Sequence, residues 1–352
     1  MKKSLRWAKA EGWNAVEIDV QACNDEAAML EAIVGGFRKS GIDLSALDQL
    51  IDKVNKFRGW LTGIKVSQIV EFGNKVESHW NEGASALENV FATLADSGKQ
   101  TLIGVDELPI FLSRLSEAPE GKKRISLVLS WLRNMQQEYA KNVQWIVCGS
   151  IGLDTFVERH GLSGTINLLQ SQKLGAYDQK TARRFLDKLS KSSKTGLPMS
   201  DEVIECILEK VGWHLPYYLQ LSYHALRNLD PEKRSRDYPS FDDVEASWNE
   251  LLGPNYSKEF AHWKTRLTDQ FQSSGSANFL LNHICRYKRG LSRAKLYELF
   301  VQRSPNKDPE KLGQELSDIL VVLERDGYLQ KKISIYSFRS PLLREFWRRR
   351  NT

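Results

Sequence analysis

The residues Thr101-Leu102-Ile103-Gly104-Val105 form an apolar run that ends in two acids, Asp106 and Glu107. Two carboxylates at the mouth of a buried strand can divide a hydrolytic task between them. The first would hold a hydrated Mg²⁺ on the β- and γ-phosphates of a nucleotide, and the second would polarise the attacking water. The chemistry of such a pair would be phosphoanhydride hydrolysis, with Asp106 on the metal and Glu107 on water. Such a pair works with a G-x-x-x-x-G-K-[ST] loop whose amides and lysine cradle the phosphates. That pattern occurs nowhere in the chain. An apolar run closing on Asp-Glu also describes any core strand that ends in a solvated acidic turn, so the flanking elements have to decide between the two.

Those elements alternate in kind over the first half. Leu5 and Ala8, with Trp7 among lysines, give the opening residues a helical stripe, and Gly12 is placed to stop it. Residues 15–20 read as a strand and 25–38 as a helix. The two-residue alternation across 64–72 predicts a strand or hairpin arm. Helical spacing returns over 80–94 and again over 125–135, on either side of the strand at 101–105. A second near-continuous apolar run, 143–148, ends at Gly149-Ser150. Runs of this kind suit strands buried on both faces of a parallel sheet, and the alternation predicts an α/β layer architecture up to about residue 175. A chain that opens in mid-helix and passes straight to a strand suggests a βαβ unit without its first strand.

Beyond that point the strand signals stop. Helices are predicted over 179–189, 201–211 (capped by Ser200, stopped by Gly212) and 216–229, with Pro216 at the first helical position, where its missing N–H costs nothing. A polar loop at 230–237 leads to a helix over 241–252, which Gly253-Pro254-Asn255 breaks. The last quarter predicts helices over 277–287, 295–300 and 311–325, then two short strands at 328–331 and 335–339. Three helices followed by a hairpin make a winged helix-turn-helix. The expected domains are an α/β core over 1–175, a helical lid over 176–252, a linker over 253–276 and a winged helix over 277–352.

Composition sets the bounds. The 352 residues suffice for two or three domains, and a 41% hydrophobic, 27% charged make-up is that of an ordinary soluble globular protein. The net charge of +6 is mildly basic, but it concentrates at the end, where Arg339, Arg344, Arg348, Arg349 and Arg350 face only Glu345. Cys23, Cys148, Cys206 and Cys285 have neither metal nor disulfide spacing, and a reducing cytoplasm suits them; Cys148 and Cys206 are expected in the core. No run approaches the roughly 20 apolar residues of a membrane span, and the lysines after Met1 are not followed by a secretory apolar segment.

Four stretches in order carry a family likeness. They are 102–109, 145–152, 211–217 and the closing Asp326-Gly327-Tyr328-Leu329 with Phe338-Arg339-Ser340-Pro341-Leu342-Leu343-Arg344. The combination resembles a prokaryotic STAND- or AAA-like P-loop ATPase of the archaeal type with a C-terminal winged helix. The resemblance implies a parallel P-loop NTPase sheet, a helical lid, and ATP and Mg²⁺ as cofactors. It makes Asp106 and Glu107 the Walker B pair. It places Ser150 at the sensor-1 position near the γ-phosphate; a helix N-cap is the plainer reading of that serine. It matches Gly212 and Pro216 to a lid turn that packs over adenine, against ordinary helix punctuation. Arg159, Arg183 and Arg184 are candidate trans or sensor-2 cations. In that family the phosphate loop sits just before the helix in which this sequence opens. The expectation is therefore an N-terminally truncated core whose triphosphate binding is poor, or else a degenerate paralogue.

The expected function is a cytoplasmic, nucleotide-controlled switch with no membrane attachment. A rival of another class is a winged-helix DNA-binding module without ATPase activity, using Arg293, Lys295, Lys331 and Lys332. A third is a scaffold whose winged helix docks a protein partner.

Overall fold

A computed structural model describes residues 1–42, 47–62, 72–149, 152–172, 174–192, 196–230, 238–270 and 274–350. The chain divides into two compact units, Met1–Ser171 and Gln172–Thr352.

The first unit is built on three parallel strands, β1 (Asn14–Asp19), β2 (Thr101–Asp106) and β3 (Val143–Val147), in the order β1-β2-β3. β2 lies in the middle and is buried from Thr101 to Val105, which explains its unbroken apolar run. β1 is an edge strand and alternates, with Glu17 and Asp19 exposed between buried Val16, Ile18 and Val20. Around the sheet run α1 (Lys2–Ala10), α2 (Glu26–Ser40), α3 (Leu47–Thr62), α4 (Phe72–Asp96), α5 (Leu108–Glu117), α6 (Gly121–Glu138) and α7 (Leu153–Arg159). Val16, Ile18, Ile103 and Val105 point into a core with Phe37, Phe91 and Trp131 from α2, α4 and α6. The alternate residues Ala15 and Leu102 meet Leu5 and Ala8 of α1 on the other face. Gly104 makes that approach feasible. A Cβ there would lie 2.8 Å from the Met1 Cγ and Sδ and 3.2 Å from Leu5 Cδ1.

A buried ion pair ties α2 to α6. Arg124 Nε donates to Glu26 Oε1 at 2.8 Å, and Nη2 donates to Oε2, with both side chains almost fully enclosed. The pairing is bidentate, so each charge replaces lost hydration with directed hydrogen bonds.

The three strands lie within one residue of the bounds read from the sequence, and β2 and β3 are adjacent and parallel as expected. Helix α4 begins earlier than the periodicity over 80–94 suggests, and α3 and α5 are additional. The strand expected over 64–72 lies outside the described residues, except that Phe72 opens α4. Trp7 is 56% exposed and lies outside the apolar stripe of α1. Cys23 and Cys285 are the buried thiols, whereas Cys148 and Cys206 are half-buried.

The second unit contains α8 (Gln179–Ser190), α9 (Asp201–Val211), α10 (Pro216–Arg227), α11 (Phe241–Leu251), α12 (Ser257–Gln270), α13 (Ser274–Ile284), α14 (Arg293–Arg303), α15 (Pro309–Arg325) and α16 (Pro341–Arg350). Short strands β4 (Leu291–Ser292), β5 (Leu329–Lys332) and β6 (Ile335–Phe338) form an antiparallel sheet in the order β4-β6-β5. One hydrophobic core runs from Ala182 to Trp347. The stretch read as a linker, 253–276, instead contributes α12, because Phe260, Trp263 and Leu267 recur at helical spacing and are buried in that core. The arginine-rich end is also ordered. It forms α16, whose Leu342, Leu343, Phe346 and Trp347 face inward. Among the described residues no helix is long and apolar enough to cross a membrane.

Candidate functional site

Asp106 closes β2 and Glu107 caps α5, so the two acids stand at the carboxyl edge of the sheet, where open parallel sheets carry their ligands. Glu107 has φ 59° and ψ 30°. A left-handed conformation costs a residue with a Cβ about 1–2 kcal/mol, and strain of this kind concentrates at functional positions. It reverses the chain within one residue, so that α5 can start at once with Pro109 in its first turn. The Glu107 carbonyl accepts from Ile110 and Phe111 N at 3.1 and 3.2 Å.

Asp106 has a neighbour that the sequence reading overlooked. Asp19 is its register partner at the end of β1. By the alternation of the pleat, both belong to the face that carries Glu17 and Gly104. That face also receives the start of α1: Lys2 Nζ lies 3.6 Å from Glu17 Oε1, and Met1 lies against Gly104. The uncapped N-terminus of α1 therefore points toward the edge where Asp19 and Asp106 end. Its free first-turn amides give that end a partial positive charge. The available signal for Asp19 was the form of β1 itself, an apolar alternation that ends in an acid as β2 does.

The loop after β1 is fastened to α5. Arg114 Nη1 donates to the Gln21 carbonyl and, at 3.3 Å, to that of Cys23. Asp19 Oδ1 accepts from Gln21 N at 2.9 Å. Burial, with Asp25, Asp19 and Glu31 adding repulsion, pushes the Cys23 thiol up to about 11. On the other side of β2, Cys148 N donates to the Val105 carbonyl at 2.8 Å, which brings the end of β3 to the same edge. Ser150, the expected sensor, lies outside the described residues.

A metal at this edge would have few protein ligands. No cluster of three or more His, Cys, Asp or Glu able to hold a metal occurs among the described residues. That suits Mg²⁺, which keeps most of its water and is held by one or two carboxylates together with substrate phosphates. Asp106, with Asp19 beside it, fits that demand.

Arg159 closes α7 in the first unit, and the remaining expected residues belong to the second. Gly212 ends α9 with φ 65°, and a Cβ there would meet Pro341 Cγ at 2.6 Å, so its open side is filled by the start of α16. Pro216 opens α10. Arg183 is engaged by Asp201 and Glu205 on α9. Arg293 N donates to the Ser334 carbonyl, which brings the start of α14 to the β5–β6 turn. Its guanidinium donates to Ser317 Oγ at 2.8 Å, and Lys295 pairs with Glu298 at 2.7 Å. Lys331 lies over the Tyr336 ring at 5.7 Å, and Lys332 is exposed opposite Ile335.

No protein-family profile and no curated protein matches the sequence. Solved structures do match the fold. A Walker-type ATPase of Pyrococcus abyssi aligns with a TM-score of 0.57 at 14% identity, over 99% of this chain and 87% of that one. The Aeropyrum pernix ORC2 protein, solved in ADPNP–ADP complexes, aligns with a TM-score of 0.55 at 14% identity, over 98% and 81%. The ORC1 protein of the same organism, in complex with DNA, aligns at 0.42 and 12% identity over 98% and 81%, too loosely to argue from. This chain thus shares the fold of archaeal Walker-type ATPases and ORC proteins.

Proposed function

We propose that this protein is an ATP-dependent molecular switch of the P-loop ATPase class, with its hydrolytic acids at the carboxyl edge of the parallel sheet. The observation that carries the reading is the placement of Asp106. It ends the central strand beside Asp19, on the face that α1 covers, and is followed at once by the strained Glu107. Likeness to a Walker-type ATPase and to a nucleotide-bound ORC2 protein supports it.

In this reading Asp106 holds Mg²⁺ through its carboxylate, and the metal, when bound, neutralises phosphate charge. Glu107 orients the attacking water and accepts its proton. Ser150 would contact the γ-phosphate, and Gly212 and Pro216 would shape the lid turn at the base. The helices 176–252 act as the lid and 277–352 as a winged helix. Nucleotide shifts the lid between arrangements only as far as it binds one better than the other. The sequence has no glycine–lysine phosphate loop, so the 352 residues alone should turn over ATP poorly.

Phosphate release tests this directly. The chain as it stands should give background rates. A version carrying a G-x-x-x-x-G-K-[ST] loop ahead of Met1 should hydrolyse ATP, and in it Glu107→Gln should cut turnover by roughly 10²–10⁴-fold while sparing nucleotide binding. Rapid hydrolysis by the present chain would refute the need for the phosphate loop, and full activity of the glutamine variant would refute the assignment of Glu107.

A second reading is favoured by one specific feature. The β4–β6 pairing joins two cation-rich stretches on one small sheet. Through Lys331, Lys332 and the neighbourhood of Arg293 and Lys295, this end of the second unit would contact the DNA backbone. Weakening of duplex binding with salt, and its relief by Lys331→Glu/Lys332→Glu, would be the signature.

A further inference from the structure

The connection between β5 and β6 is a two-residue turn: Lys332 and Ile335 pair across it, leaving Ile333 and Ser334 to reverse the chain. Ile333 occupies the first turn position with φ 58°. Two-residue hairpins place glycine, asparagine or aspartate there, because a Cβ in the left-handed region is crowded. A β-branched side chain in that conformation is a steric outlier. Packing does not offset the strain, since the Ile333 side chain is 96% exposed. A sequence that holds a bare isoleucine on a strained turn breaks a local rule with no gain inside the fold, and such breaks mark positions kept for an outside contact.

The surroundings indicate what that contact is. Pairing of β4 with β6 brings together residues 286–297 and 327–344, two stretches that contain no acid. The first contributes exposed Arg286, Lys288 and Arg289, and the second Lys331 and Lys332 immediately before the turn. An apolar tip flanked by ammonium groups fits a cleft whose rim is anionic and whose interior can open an apolar surface. The DNA minor groove has phosphates along its rim and stacked base faces that separate at a step, and isoleucine is among the side chains that proteins insert between its base steps. A lipid surface would call for a broader apolar face than one side chain supplies.

We propose that Ile333 is a wedge that enters the minor groove of a DNA duplex and loosens a base step, while Lys331, Lys332 and the 286–289 loop neutralise the adjacent phosphates. This rests on the DNA-binding reading of the hairpin given above.

The test uses the full 352-residue protein on duplexes carrying 2-aminopurine at successive steps, with anisotropy and fluorescence read over a salt series. Ile333→Gly suits the backbone of the turn, so its melting temperature should not fall. It should weaken duplex binding roughly tenfold, with an unchanged salt slope and no 2-aminopurine brightening. Lys331→Glu/Lys332→Glu should weaken binding and flatten the slope by about two phosphate contacts. Wild-type affinity and brightening in Ile333→Gly would overturn the wedge and leave the DNA reading standing. Failure of the unmutated protein to bind duplex at low salt would overturn both. Ile333-dependent binding to phosphatidylserine vesicles without duplex binding would overturn the proposal in favour of a lipid contact.

Discussion

Asp19 and Asp106 are register partners at the ends of adjacent parallel strands. A cation bound at this edge would be within reach of both carboxylates, so the pair should report directly on metal binding. Mg²⁺ should raise the melting temperature, by about 1.4 kcal/mol of added stability at tenfold its dissociation constant. Asp106→Asn should abolish that rise, and Asp19→Asn should reduce it. Differential scanning fluorimetry with and without Mg²⁺ measures both. A rise that survives Asp106→Asn would remove Asp106 from the metal assignment.

The Glu26–Arg124 pair sets how firmly α2 and α6 are joined. With Glu26 1% and Arg124 4% exposed, removal of one partner strands the other charge away from water. Arg124→Met should cost about 3–5 kcal/mol in urea unfolding, whereas the double change Glu26→Leu/Arg124→Met should recover most of the loss. A single-variant cost below about 1 kcal/mol would mean that water reaches the pair.

Cys23 gives a pH signature. Its thiol ionises near 11 in the folded chain against an ordinary 9.0, chiefly because it is buried. The protonated form is therefore favoured by folding. The stabilisation is complete below pH 9 and is lost as pH rises from 9 to 11, while the unfolded chain deprotonates first. At pH 8 the thiolate fraction is about 100-fold below that of a free thiol. Iodoacetamide should modify Cys23 only after denaturation, as peptide mass spectrometry would show. Rapid labelling of the native protein at Cys23 would contradict its burial.

The parallel sheet was legible because β2 is a run buried on both faces with an acid at its end, and because β3, although only its Val143 is buried, still reads as a short, mostly apolar run that ends in small residues. Helix α12 was not. Only Phe260, Trp263 and Leu267 anchor a largely polar segment that follows Gly253-Pro254-Asn255, so locally it reads as a linker. Helix α5 begins directly after two acids with a proline in its first turn, a pattern shared by turns and helix starts. Within the candidate site, Asp106 and Glu107 could be read from type and order. The pairing of Asp19 with Asp106 is a long-range register, and the left-handed Glu107 is a consequence of α5 starting so abruptly; neither is encoded in neighbouring residues.

The second unit should unfold in one step, because its helices share side chains rather than surfaces. Trp263 of α12 packs edge-on against Tyr328 at 4.8 Å, and the Tyr328 hydroxyl donates to the Trp263 carbonyl at 2.6 Å. Phe260 stacks on Phe346 of α16 at 4.5 Å. On the α9–α10 turn, Trp213 lies beneath the Arg339 guanidinium at 5.4 Å and fills the space beside Gly327, where a Cβ would come within 2.8 Å of the ring. Cutting before residue 277 would therefore expose Tyr328, Phe346 and Trp347, side chains that are fully enclosed in the intact unit. A fragment covering 172–352 should melt in a single transition, and 277–352 alone should be markedly less stable. Trp263→Ala should lower the stability of the whole unit by about 3–5 kcal/mol and move circular dichroism and tryptophan fluorescence together. If 277–352 alone unfolded at the same denaturant midpoint as 172–352, the shared core would be shown to contribute nothing to its stability, and residues 277–352 would be free to move independently of α9 to α12.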